Sequence, residues 1–112
     1  MRVMLKASMP VEVGNTAMRS GKLPEAIQSI LDEQKPEAAY FIADGGRRTA
    51  ILFLDIQDAS QLPGLAEPWF LAFNATVEVT PAMNIQDLAK AAPAIERAVK
   101  KYGQGTQAAA AR

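Results

Sequence analysis

The chain has 112 residues, 49% hydrophobic and 21% charged, which suits one globular domain with a modest core. Twelve Lys and Arg balance twelve Asp and Glu, and neither Cys nor His occurs. This composition excludes disulfides, thiolate nucleophiles, Cys/His metal sites and the commonest general base near neutral pH, and it leaves no net field to steer the chain toward nucleic acid or a membrane surface.

In chain order, Arg2 to Met9 reads as a strand, with Val3, Leu5 and Ala7 alternating with Met4, Lys6 and Ser8. Pro10 closes it and suits the first turn of a helix over Val11 to Ser20, which Gly21 ends. A second helical segment spans Pro24 to Gln34, with Leu23, Ile27, Ile30 and Leu31 on one face, and Lys35-Pro36 stops it. The centre of the chain is the next stretch, Ala38 to Asp44, Gly45-Gly46, then Arg47 to Ile56. Two apolar runs around a diglycine predict a β-hairpin, because glycine adopts positive φ without a Cβ penalty. Its second run, Ala50-Ile51-Leu52-Phe53-Leu54, is apolar at both parities, so both faces of that strand are expected to be covered.

After the hairpin, Asp58 or Ser60 can cap a helix that carries Leu62, Leu65, Ala66 and Trp69 inward; Pro63 fits its first turn and Pro68 is expected to break or kink it. Asn74 to Thr80 is the fourth strand, with Ala75, Val77 and Val79 on one face and Thr76, Glu78 and Thr80 on the other, and Pro81 ends it. Asn84 is a candidate N-cap for a last helix with a narrow stripe of Ile85, Leu88, Ala92, Ile95, Val99 and Tyr102. Pro93 inside that stripe predicts a kink or two abutting helices, and Gly103 ends the segment. One domain is thus expected over residues 1–103, with a small, polar, disordered tail over 104–112. The opening Met1 to Lys6 lacks the apolar length of a secretory signal, and no run approaches the ~18 residues of a transmembrane helix, so a cytoplasmic protein is expected.

The order strand, helix, strand, strand, helix, strand, with right-handed crossovers, predicts an α+β fold: a ferredoxin-like antiparallel sheet in the order 4-1-3-2, both crossover helices on one face, plus a C-terminal helix. Strands of about six residues, at ~3.3 Å per residue and ~4.8 Å apart, present roughly 400 Å² on the other face. An apolar patch of that size is near the largest a monomer exposes. Two occupants are open to it: the same face of a second subunit, closing a barrel, or the C-terminal helix folded back. The narrow, proline-interrupted stripe favours the second subunit. Which parity of the hairpin faces that partner stays open.

The order of elements, together with Ala66-Glu67-Pro68-Trp69-Phe70 leading through Phe73-Asn74 into Val77-Glu78-Val79-Thr80-Pro81, resembles the small dimeric α+β-barrel proteins. Within them it is similar to a bacterial group that carries no assigned activity, distantly related to muconolactone isomerase and the antibiotic-biosynthesis monooxygenases; the likeness spans roughly residues 1–90. The resemblance implies a homodimer with a cavity between sheet and helices, and no shared chemistry. The heme-binding relatives use a His ligand, which this chain lacks, so no cofactor, no metal and no catalytic residue is carried over.

Several residues remain as candidate ligand contacts. Lys6 and Glu78 lie mid-strand on the parity opposite the aliphatic face, on strands the fold makes antiparallel neighbours, so they form either a cross-strand ion pair at a dimer margin or a polar pair in a small cavity with Ser8, Thr76 and Thr80. Trp69, Phe70 and Phe73 either line a cavity or fill the core, and Tyr40 either meets a ligand or packs beside Phe53 or Ile51. Gly45-Gly46 lacks the strand-helix setting of a phosphate loop, and Arg47 and Arg48 either bind an anion or mark a solvated strand entrance. The ligand-binding candidates are therefore Lys6, Ser8, Tyr40, Trp69, Phe73 and Glu78. The expected protein is a homodimer that binds a small, partly apolar metabolite, with a cofactor-free isomerase or monooxygenase-like activity as one form of that reading. The rival is a non-catalytic dimerisation module whose interior its own side chains fill. RNA binding on the sheet is set aside, since Phe53 is the one aromatic on the central strands and the net charge is zero.

Overall fold

The diglycine forms a two-residue hairpin turn. Gly45 and Gly46 both have positive φ, +59° and +79°, the pair of signs whose twist matches that of the flanking strands β2 (Ala38–Asp44) and β3 (Arg47–Asp55). The computed structural model describes residues 1–103. It divides into a unit covering Met1–Ala82 and a second that starts at Met83.

In the first unit, β1 (Arg2–Ser8) leads through Pro10 into α1 (Val11–Arg19) and α2 (Lys22–Gln34), and Gly21 turns the chain between the helices at φ +75°. The hairpin follows, then a single 3-10 turn over Ala59–Gln61, α3 (Leu62–Phe73) and β4 (Thr76–Pro81). The sheet runs β2-β3-β1-β4, all antiparallel, so the topology is ferredoxin-like α+β in the predicted order. Strand alternation decides what each face carries. Val3, Leu5 and Ala7 of β1 and Ala50, Leu52 and Leu54 of β3 are buried, joined by Leu23 and Ile30 of α2 and by Trp69 and Phe73 of α3. The opposite parity forms cross-strand rows that the register fixes: Ala38, Phe53, Met4 and Thr80; Tyr40, Ile51, Lys6 and Glu78; Ile42, Thr49, Ser8 and Thr76. Ile51 and Phe53, on this parity, are only half buried.

Element ends shift by one or two residues from the sequence reading, and three points have a clear physical reason. Asn74 belongs to the helix end, not to the strand: it takes the left-handed conformation at φ +50° and its N–H donates to Phe70 O, a role that asparagine fills when glycine is absent. Asp58 caps the 3-10 turn ahead of α3, its carboxylate accepting from Ser60 N while Gln61 Oε1 accepts from Asp58 N. Pro68 does not break α3, which continues to Phe73; the ring removes the bond to Gly64 O, and the burial of Trp69 and Phe73 holds the last turn in place.

In the second unit, Asn84 caps α4 (Ile85–Ala98) in a reciprocal capping box: Asp87 N donates to Asn84 Oδ1 at 2.8 Å, and Asn84 N to Asp87 Oδ2 at 3.0 Å. Pro93 lies inside a single helix, so of the two expected outcomes, a kink or two abutting helices, the second does not occur. The irregularity comes later, where Val99–Gly103 widens into a π turn. The expectation of a disordered tail falls on residues 104–112, outside those described. No helix among the described residues is long and apolar enough to cross a membrane.

Candidate functional site

The six candidate residues fall on the two sides of the sheet. Lys6, Ser8 and Glu78 come together on the face away from α1–α3, where with Asp44, Gly45, Arg47 and Thr76 they line a polar depression of about 370 Å³. Lys6 and Glu78 share the face that parity gave them, and the register makes them direct cross-strand partners. The ion pair is a different one: Lys6 Nζ pairs with Asp44 Oδ2 at the end of β2, and the hydrogen bond and charge of Asp44 hold the Lys6 ammonium above the ordinary lysine pKa, with a smaller contribution from Glu78. Lysine's long stem lets the ammonium reach Asp44 beyond the intervening strand β3. Ser8 is fixed from both sides, since Thr49 Oγ1 donates to Ser8 Oγ at 3.1 Å and Thr76 Oγ1 to Ser8 O at 3.4 Å. Tyr40 lies at the far end of the Lys6 row, opposite Ile51 and 59% exposed.

Trp69 and Phe73 lie on the helix side, both essentially inaccessible, with ring centroids 5.9 Å apart. Gln34 at the end of α2 ties this layer together: its Nε2 donates to Leu65 O at 2.9 Å, and its Oε1 accepts from Trp69 Nε1 at 3.4 Å. Trp69 also forms part of a second cavity of about 300 Å³, between α2 and the β2–β3 hairpin, walled by Met9, Leu23, Ile27, Phe41 and Ala50 and bounded by Arg48. Phe73 instead borders a wide, open groove with Val13, Ala17 and Ala26. The depression at Lys6 and Glu78 and the cavity at Trp69 are therefore separate, with the sheet between them.

Sequence reasoning did not name Asp44 as a site residue. Its signal was present: Asp44 is four residues from Tyr40 along one strand, hence on the same face as Lys6. Among the described residues, no group of three or more Asp or Glu could hold a metal ion.

No family model matches this sequence, and no curated protein matches it. Among solved structures the chain is similar to a formyltetrahydrofolate deformylase from Pseudomonas putida KT2440, at 22% identity and a TM-score of 0.45, over 73% of this chain and 29% of that one. The chain thus spans less than a third of the deformylase. The ferredoxin-like fold follows from strand order and connectivity alone.

Proposed function

We propose that this protein is a homodimeric small-molecule-binding module, which takes a partly apolar metabolite into the cavity beneath the hairpin and pairs with a second copy through the sheet face that bears Ile51, Phe53 and Met4. The observation that carries the binding reading is the Trp69 cavity: about 300 Å³, apolar walls, and one charged group at its border. Small-molecule sites have this size and this mixture of apolar lining with a few placed polar groups. Binding is favoured over turnover because the one ionisable side chain bordering the cavity is a guanidinium, which does not exchange protons near neutral pH. The carboxylates and the amine of the polar depression, Asp44, Glu78 and Lys6, lie on the other side of the sheet. Pairing through the open face is supported by its half-buried Ile51 and Phe53, and by the resemblance of the Ala66–Phe70 and Val77–Pro81 stretches to small dimeric α+β-barrel proteins. In such a dimer the Lys6–Asp44 pair and Glu78 would be enclosed between subunits.

Titration with 3-phenylpropanol, followed by the fluorescence of the single tryptophan, tests the cavity. A saturable change that Ile27→Phe abolishes by filling the space supports it. A linear, non-saturating response, equal in the variant, refutes it.

A further inference from the structure

The residue at the border of the Trp69 cavity is unusual for an apolar site. Arg48 lies on the helix-facing parity of β3, level with Ala50, Leu52 and Leu54, where a strand with one buried face carries aliphatic side chains. It is half buried, and its Nη1 donates to Asn15 Oδ1 at 2.9 Å. Asn15 is neutral, and among the described residues Arg48 forms no ion pair with a carboxylate. A guanidinium carries five N–H donors in a fixed fork, so one amide oxygen leaves most of that capacity unused. α1 is shaped to receive it. Gly14 is buried, and a Cβ there would meet Arg48 Nη1 at 2.7 Å and Met9 Sδ at 3.1 Å. Glycine costs helix stability relative to alanine, and at Gly14 it leaves room for the arginine against the helix.

From this arrangement we propose that the Trp69 cavity selects a small carboxylic acid, with an aromatic or branched aliphatic body among Leu23, Ile27 and Phe41 and its carboxylate on the free edge of the Arg48 guanidinium. A planar carboxylate matches the two-pronged donor geometry of arginine, and apolar walls strengthen such a pair by excluding water. Asn15 holds the guanidinium in place, so its orientation is set before the ligand arrives. The proposal rests on the reading of this cavity as a ligand site and adds the charge of what enters it.

The test compares 3-phenylpropionate with its neutral isostere 3-phenylpropionamide, each titrated into the full chain at neutral pH and followed by Trp69 fluorescence. The acid is expected to bind at least about tenfold more tightly than the amide, the usual scale for one charge-assisted hydrogen bond. Arg48→Gln removes that preference by weakening the acid and leaving the amide unchanged. Gly14→Ala is the second variant: it keeps the arginine, favours the helix and forces the guanidinium from its seat, so it too lowers the preference. Equal affinity for acid and amide, or a preference that survives both variants, overturns the carboxylate assignment and leaves the cavity as a neutral site. If neither compound changes the fluorescence, the assignment and the ligand-site reading fall together.

Discussion

Leu52 and Ile51 are neighbours of similar size on the central strand β3, pointing to opposite faces, and truncating each to alanine separates a covered sheet from a bare one. Leu52 is 0% exposed, between Leu5 on one side and Ala39 on the other. Leu52→Ala removes that volume from a closed core and should cost about 3 kcal/mol, within the range of such truncations. Ile51 is half buried in the isolated chain. At ~0.8 kcal/mol per buried methylene, half of its three lost carbons is worth about 1 kcal/mol. If a second copy covers the face, the same truncation approaches about 3 kcal/mol per subunit. The extra ~2 kcal/mol counts twice in a symmetric dimer and weakens association by roughly a thousandfold. Urea denaturation at 1 and 100 μM, with sedimentation equilibrium, reads both effects. The expected wild type has twice the 12.0 kDa chain mass and a midpoint that rises with concentration, while Ile51→Ala shifts toward the single-chain mass. A wild type of 12.0 kDa at both concentrations, with Ile51→Ala costing about 1 kcal/mol throughout, refutes the pairing.

Further outcomes follow from the turns and charged groups. Gly45→Ala and Gly46→Ala each place a Cβ on a positive-φ turn and should each destabilise by about 1 kcal/mol, whereas Gly64→Ala, in an ordinary helical position with open space around it, should be neutral or stabilising; thermal denaturation ranks the three. Hydrogen bonds from Ser60 hold the Asp58 carboxyl below the usual carboxylate range, so the stabilisation it adds is present above the ordinary aspartate pKa and fades as the pH falls through the lowered value. The stability difference between wild type and Asp58→Ala should therefore narrow on acidification, and a gap constant from neutral pH to pH 2 would contradict the cap. Asp44→Asn should bring the Lys6 pKa down toward the ordinary lysine value, read by NMR titration of the side chain, and an unchanged titration would show that the pair does not persist in solution. In the wild type the raised pKa favours the fold below the ordinary lysine value and loses that effect as the pH climbs through the raised one.

Local chemistry made most of the fold legible. Gly45-Gly46 marked the hairpin because a two-residue turn demands positive φ twice, and parity with the ferredoxin-like strand order put Lys6 on the same face as Glu78 on a neighbouring strand and Leu5 against the helices. Proline alone did not decide whether a helix breaks. Pro68 and Pro93 carry a fixed local penalty, but α3 is anchored by Trp69 and Phe73, and α4 is already started by its capping box. The candidate site was less legible, because alternation tells which face a side chain occupies and not how far it reaches. Lys6 passes over a strand to Asp44, a choice of rotamer that no spacing encodes. Arg48 read, together with Arg47, as either an anion contact or a solvated strand entrance; that it lies against α1 depends on Gly14, thirty-four positions earlier in the chain.

β2 also bears on how these molecules behave in a crowd. It forms one edge of the sheet, and from Ala38 to Ala43 it has no charge, proline or bulge, while Tyr40, Phe41 and Ile42 are all exposed. Natural sheets usually guard such a rim. The opposite edge is different in kind: β4 carries Thr76, Glu78 and Thr80 and stops at Pro81, which has no N–H to offer. Rim-to-rim pairing is therefore favoured at β2 over β4. Two β2 rims meeting antiparallel consume each other and leave a β4 rim at each outer end, so such growth stops at a pair where an unguarded second edge would have allowed a filament.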